Sequence, residues 1–189
     1  MSSARPAELS CACRSRRRAL AGLLSAAAAA ALPAIGADGP AGSRLVLVNT
    51  HTGEVLDTIF RDSSGYRAGE LGRLDWLLRD YRTGDVLPLD ARLFDLLNEL
   101  AVRAGLEPRY EIISGYRSPG TNAMLVATTD GVSSRSLHME GKAIDVRLVG
   151  LPIERLRDLA LARAAGGVGY YPVSDFVHLD VGQVRSWSG

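Results

Sequence analysis

The segment SLHMEGKAIDVRL, residues 136–148, decides how this chain is expected to fold and act. It places a histidine, His138, seven positions before a carboxylate, Asp145. A second segment, DFVHLDVG at residues 175–182, holds another histidine, His178, between acidic residues. The chain has only three histidines, and two of them fall in these segments. We therefore interpret the two segments as the halves of one metal site.

The spacing of His138 and Asp145 requires a bend between them. On a single helix, seven residues span about 10 Å along the axis, too far to share an ion that is held by bonds of about 2 Å. Gly141 supplies the bend. After it, apolar residues alternate with other residues up to position 148, as in a strand buried on one face. Asp145 would then lie on the opposite face, near the loop that carries His138.

The second segment alternates in the same way, with His178 and Asp180 on one face and apolar residues on the other. Two adjacent strands would present Asp145 and His178 side by side, with His138 reaching in from a loop. Three protein ligands leave a fourth position for water, as in catalytic zinc sites. A ligand set of histidine and carboxylate also suits zinc better than calcium or magnesium. On spacing alone, polar loop residues remain the alternative.

Asp175 is a candidate general base. It precedes His178 by three positions and would face away from it in an unbroken strand, so its use in catalysis requires a turn at residues 174–175. Pro172 and Ser174 favour such a turn. A carboxylate near the ion can accept a proton from water and return it to the leaving amine. The alternative for Asp175 is that it only caps the turn. Asp180 is interpreted as a group that supports a ligand or lies at the surface.

Arg117 is the second catalytic candidate, because it follows the end of a predicted strand. From there a guanidinium can reach into a cleft, where it can bind a carboxylate or stabilise an oxyanion. On spacing alone, a surface ion pair is the favoured alternative.

The remaining elements complete an α+β domain with a small, mainly antiparallel sheet flanked by helices and zinc on the open face of the sheet. In chain order they are strands at 44–49 and 54–60, a helical or irregular segment at 71–81, a helix from Asp90 to Gly105, a strand at 109–113 and a helix at 121–127. His51 falls in the turn of the first hairpin, where polar side chains serve local hydrogen bonding, and we do not expect it to be a ligand.

Charge and cysteine content exclude some classes of site. Residues 38–189 carry 17 basic and 20 acidic residues, a net charge of −3. Such a domain lacks the basic excess of a nucleic-acid-binding protein. Both cysteines, Cys11 and Cys13, precede residue 38. Without them the domain has no thiolate ligand, so a metal must be held by histidine, aspartate or glutamate.

Residues 1–37 are predicted to form an export signal of the twin-arginine type. Three arginines at positions 16–18 precede a run of small apolar residues that reaches Ile35, and small residues at 34–37 suit cleavage. The alternative is an uncleaved membrane anchor, but an alanine-rich run that contains Pro33 is short and weakly hydrophobic. Either way, residues 38–189 are expected to act in the periplasm or cell envelope, with membrane contact only through the signal.

Together the motifs resemble the zinc D-Ala-D-Ala metallopeptidases, which are related to lysostaphin-type peptidases and to the hedgehog fold. The chain is most similar to the murein endopeptidase K branch of this group. Residues 44–184 carry the resemblance. Its motifs are NTHTGE at 49–54, SGYRS at 114–118, HxxGxAxD at 138–145 and DxxHxD at 175–180.

The resemblance implies one Zn²⁺ per chain, held by His138, Asp145 and His178. It also implies that Arg117 lies over a substrate carbonyl or carboxylate, and that Asp175 is the base where many relatives have glutamate. The implied activity is hydrolysis of a peptide cross-link in peptidoglycan. A D-Ala-D-Ala carboxypeptidase or dipeptidase would share every ligand, and a non-catalytic murein-binding module is a further alternative. The sequence leaves open the type of cross-link, D,D or L,D, and the oligomeric state.

Overall fold

The computed structural model describes residues 42–129 and 131–189. The predicted export signal at residues 1–37 lies outside the described residues. Within them, no helix is both long enough and apolar enough to cross a membrane.

The described residues form an α+β domain, as predicted, with four α-helices and eight strands. A short 3₁₀ turn spans Leu137–Glu140. The helices are α1 (Ala68–Leu77), α2 (Ala91–Ala104), α3 (Pro119–Thr128) and α4 (Ile153–Arg163). The strands are β1 (Ser43–Asn49), β2 (Val55–Asp62), β3 (Gly65–Tyr66), β4 (Arg109–Ser114), β5 (Ala143–Leu148), β6 (Gly167–Tyr171), β7 (Phe176–Asp180) and β8 (Arg185–Ser188).

The sheet is larger than the small sheet that was predicted, and most but not all of its neighbouring strands are antiparallel. Its eight strands lie in the order β3-β2-β1-β4-β5-β7-β6-β8. Neighbouring strands are antiparallel except for β1 with β4 and β6 with β8, so the sheet is mixed. The predicted sheet was too small because the short strands β3, β6 and β8 carried no clear periodic signal; helix α4 was also not predicted, although its buried residues Ile153, Leu156 and Ala160 have helical spacing.

Local signals placed several elements correctly. The first predicted hairpin forms as β1 and β2. Asp90 caps α2, since its side chain accepts a hydrogen bond from the Arg92 backbone N–H, and Gly105 ends the helix in the left-handed conformation. The amphipathic face of α2 is buried against the sheet.

The two faces of β5 separate the core from the candidate site. Ile144, Val146 and Leu148 are buried in the apolar core together with residues of α2 and α4. Asp145 and Arg147 alternate with them and therefore lie on the other face. The sheet thus presents a polar site on the face opposite its core.

Gly141 makes the bend that the sequence predicted between the histidine and the strand. Its φ is +65°, a left-handed conformation that costs other L-residues about 1–2 kcal/mol. A Cβ at this position would lie 2.6 Å from the Pro88 carbonyl oxygen. The Gly141 carbonyl also accepts a hydrogen bond from the Asp90 N–H, at 2.8 Å. The bend is therefore fixed to the segment before α2.

We expect Gly141→Ala to destabilise the domain by about 2–4 kcal/mol, because conformational strain and a clash with backbone add together. Gly84→Ala is the matched control: Gly84 has a φ of +78° but no atom within 4 Å of the added Cβ. It should cost only the strain, about 1–2 kcal/mol. Denaturant unfolding of both variants measures the difference. Equal losses would contradict the role of close packing at Gly141.

Candidate metal centre

The pairing of β5 with β7 sets Asp145 directly opposite His178 in the sheet. Both side chains are on the polar face and are buried, as is His138 on the 3₁₀ turn that precedes β5. Two strands and a turn therefore bring together the three predicted ligands.

The loop after β4 fixes the ring of His138. The carbonyl oxygen of Gly115 lies 2.7 Å from His138 Nδ1, and the Arg117 N–H donates to the His138 carbonyl at 3.2 Å. This loop packs so closely on Leu78 that a Cβ at Gly115 would clash with the Leu78 carbonyl oxygen. Glycine at position 115 therefore permits the contact that orients the histidine.

Three potential ligand atoms converge at the centre. His138 Nε2 lies 3.2 Å from Asp145 Oδ1 and 3.1 Å from His178 Nδ1, and the last two atoms are 2.9 Å apart. A tetrahedral zinc site with bonds of about 2.0–2.1 Å places its ligand atoms about 3.3 Å apart. The triangle is close to this size.

The outer hydrogen bonds leave lone pairs facing the centre. The Gly115 carbonyl can only accept, so the proton of a neutral His138 is on Nδ1 and Nε2 is bare. His178 Nε2 faces Asp180 Oδ2 at 3.2 Å, which similarly leaves Nδ1 bare in the neutral ring. Two bare ring nitrogens and a carboxylate oxygen then meet at about 3 Å. These donors fit a divalent cation such as zinc.

The electrostatics favour an ionised carboxylate at the centre. Burial alone would raise the pKa of Asp145, but the two histidines lower it far below its usual range. Burial lowers the pKa of His138, although Asp145 opposes this effect. For His178, bonds to Asp145 and Asp180 outweigh burial and raise its pKa to about 8. A cation at the centre therefore competes with the proton of His178.

Asp180 supports His178 from behind and is itself fully buried. Its carboxylate accepts hydrogen bonds from the backbone N–H groups of Gly167 and Gly182, both at 2.9 Å, and from Arg185 Nη2 at 2.7 Å. These bonds and that to His178 lower the pKa of Asp180 even though burial opposes ionisation. A fixed, ionised carboxylate behind a metal-ligating histidine orients the ring and strengthens it as a ligand.

The C-terminal strand β8 completes this support. A Cβ on Gly167 would lie 2.6 Å from Arg185 Nη1, and one on Gly169 would lie 2.7 Å from the ring of Trp187. The two glycines of β6 therefore make room for the side chains of β8. The ring centroid of Trp187 lies 5.1 Å from that of His178.

We expect Arg185→Met to raise the dissociation constant for zinc about 10–100-fold, because Asp180 loses its charged partner and holds His178 less firmly. Competition with a chromophoric chelator measures the constant. The control is Arg163→Met, which removes a similarly exposed arginine from α4, where it pairs with Glu99. An unchanged constant in Arg185→Met would contradict the supporting role of Arg185.

Arg117 contacts the centre through Asp145, and its hydrogen bonds are with the protein. Its Nη2 donates to Asp145 Oδ2 at 3.1 Å, and Nε and Nη2 lie 3.4 and 3.3 Å from Ser114 Oγ. This pairing directs the other oxygen of Asp145 toward the histidines. Within residues 42–129 and 131–189, Nη1 of Arg117 has no hydrogen-bond partner.

Asp175 is not part of the three-residue cluster, and it is not among the residues that line the cavity at the centre, although its neighbours Ser174 and Phe176 are. The chain turns at residues 172–175, as its use in catalysis required, and Asp175 has a φ of +54°. Its carboxylate is 64% exposed and lies 3.0 Å from Arg147 Nε. Because Arg147 shares the polar face of β5 with Asp145, Asp175 is on the same side of the sheet as the centre.

A cavity of about 600 Å³ opens onto the centre. Aromatic residues Tyr171, Phe176 and Trp187 line one part of it. Arg117 and Arg135 also line it, and its size suits a short peptide segment.

Some residues around the site carried only weak signals in the sequence. Asp180 shares the alternating face of His178, so the pattern identified it as a possible support. Arg185 and Trp187 lie on a short polar strand with no periodic signal. His51 stacks on Tyr81, approaches the Ile113 carbonyl at 3.0 Å and lies outside the ligand cluster.

This combination of two imidazoles, one carboxylate and an adjoining cavity is typical of hydrolases that use a metal ion to activate water. The comparisons with known proteins agree with that class. A family model described as Peptidoglycan L,D-endopeptidase MepK matches residues 39–187. The chain therefore belongs to the MepK family of peptidases, and the resemblance noted from its motifs is confirmed.

Individual relatives cover most of the chain. Peptidoglycan L,D-endopeptidase MepK of Escherichia coli K12 is 43% identical over 143 residues, which are 76% of this chain and 79% of that protein. A probable peptidoglycan L,D-endopeptidase MepK of Haemophilus influenzae is 42% identical over 146 residues, 77% of this chain and 78% of that protein. No solved structure matches the chain significantly.

Proposed function

We propose that this chain is an exported zinc endopeptidase that hydrolyses L,D peptide cross-links of peptidoglycan. The convergence of His138, Asp145 and His178 beside a peptide-sized cavity is the observation that carries the proposal. Membership of the MepK family supports peptidoglycan as the substrate and the periplasm or cell envelope as the place of action. The names of the relatives support the L,D type of bond, which the sequence alone left open.

His138 Nε2, Asp145 Oδ1 and His178 Nδ1 would hold one zinc ion per chain. When bound, zinc lowers the pKa of a water molecule to about 7 and polarises the scissile carbonyl. The hydrogen bonds of Gly115 and Asp180 orient the two rings for ligation.

Arg117 would stabilise the negative charge of the transition state, and Asp175 would transfer the proton. Arg117 Nη1 stabilises the negative charge that develops on the substrate carbonyl oxygen. Asp175 accepts the proton of the attacking water and returns it to the leaving amine, which keeps the proton balance of the hydrolysis. Its position in a turn whose residues Ser174 and Phe176 line the cavity supports this role.

Mass spectrometry of purified muropeptide dimers tests the function. Incubation with an L,D-linked dimer should yield two monomers, whereas a D,D-linked dimer of the same composition should remain intact. Loss of a terminal D-Ala without monomer formation would identify a carboxypeptidase. Binding of the dimers without any product would identify a non-catalytic module. Either result would contradict the proposal.

A further inference from the structure

We propose that Arg147 is a positioning residue that holds Asp175 in place for proton transfer. The inference rests on the proposed function, in which Asp175 is the base. Arg147 lies on β5, two positions after the ligand Asp145 and on the same face. It therefore connects the turn that carries the base to the strand that carries a metal ligand.

The contacts of Arg147 reach both the side chain and the backbone of the turn. Its Nε faces Asp175 Oδ2 at 3.0 Å and also contacts the Asp175 carbonyl oxygen, while Nη2 lies 3.4 Å from the Ser174 carbonyl oxygen. On its other side, Nη1 pairs with Glu111 Oε2 at 3.2 Å. The guanidinium is thus fixed by β4 and in turn fixes residues 174 and 175.

Asp175 needs such an anchor because its local surroundings do not orient it. Its side chain is 64% exposed, and its backbone is in the left-handed region, with a φ of +54°. An exposed aspartate without fixed partners samples several rotamers. Pairing with Arg147 engages Oδ2 and leaves Oδ1 without a hydrogen bond among the described residues. One carboxylate oxygen is therefore held, and the other can accept a proton.

An ordinary surface ion pair would be the simpler interpretation, because exposed pairs of this kind add little to stability. The contacts with two backbone carbonyls distinguish Arg147, since they fix the turn itself and not only a charge. Catalysis is also more sensitive than stability to such placement: a shift of about 1 Å in a reacting group can cost about 100-fold in rate.

Cleavage kinetics of Arg147→Met, Asp175→Asn and the double variant on an L,D-linked dimer test the inference. We expect Arg147→Met to lower kcat about 10–100-fold, with KM and zinc content unchanged. In the Asp175→Asn background the same change should have no further effect on kcat, because the turn that Arg147 fixes serves catalysis through the Asp175 carboxylate. Arg103→Met, which removes an exposed arginine paired with Glu99 on α2, should retain the wild-type kcat.

A wild-type kcat in Arg147→Met, or equal losses in both backgrounds, would overturn the inference. If Arg147→Met does not fold, Arg147→Lys replaces it: lysine keeps the charge but lacks the planar fork that bonds all four acceptors. With Asp175 present, Arg147→Lys should lower kcat about 3–10-fold. In the Asp175→Asn background it should leave kcat unchanged. Equal losses of Arg147→Lys in both backgrounds would likewise overturn it. Failure of the proposed function would be distinguishable from failure of this inference, because the wild-type protein itself would then release no monomers.

Discussion

His178→Ala is expected to abolish both stoichiometric zinc binding and cleavage of cross-linked dimers. The change removes one of three ligands and also leaves the buried Asp180 without its histidine partner. Two remaining ligands, His138 and Asp145, are too few for a tight zinc site. Metal analysis of the purified variant and mass spectrometry of dimer digests measure the two losses.

The third histidine provides the control for this experiment. His51 lies at the β1–β2 turn, where it stacks on Tyr81. His51→Ala should therefore keep one zinc per chain and wild-type cleavage. Full activity in a zinc-free His178→Ala protein would contradict the proposed role of the metal.

Asp175→Asn is expected to lower kcat about 10²–10⁴-fold while zinc content stays unchanged, because asparagine keeps the shape of the side chain but cannot accept the proton. Steady-state kinetics on an L,D-linked dimer measure the effect. Asp158→Asn on α4 is the control, since Asp158 is also exposed and paired with an arginine, Arg157. An unchanged kcat in Asp175→Asn would exclude Asp175 as the base.

The strand faces that carry the ligand cluster were predictable from local patterns, whereas the choice of these three residues as one ligand set came from the resemblance of the motifs to a known family. Alternating apolar residues set the faces of β5 and β7, and those faces place Asp145 and His178 on one side. Gly141 marked the bend that returns His138 to the strand. These signals depend only on residues close together in the chain, so they could be identified without coordinates.

The missing part of the sheet depends on contacts between distant segments. Strand β6 has glycines at 167 and 169 because Arg185 and Trp187 of β8 occupy the space that side chains would need there. Glycine lowers strand propensity, so β6 has only a weak strand signal. Strand β8 is short and polar, and it pairs in parallel with β6. Both strands therefore depend on packing between distant segments, and neither has a local sequence pattern that predicts a strand.

The environment of Asp175 could not be predicted for a similar reason. The sequence showed that a turn was possible at this residue, and the turn is present. Its partner Arg147 lies 28 positions earlier in the chain, and no local spacing connects the two. Pairing of β5 with β7 brings them together, so the contact followed only from the complete sheet.

The central claim is that zinc held by His138, Asp145 and His178 is required for cleavage of a peptidoglycan cross-link. The most direct test removes the metal from the purified wild-type protein with a chelator, removes the chelator, and follows cleavage of an L,D-linked dimer as zinc is added back. We predict no cleavage without metal and full recovery at one zinc per chain. Undiminished cleavage by the metal-free protein would contradict the account.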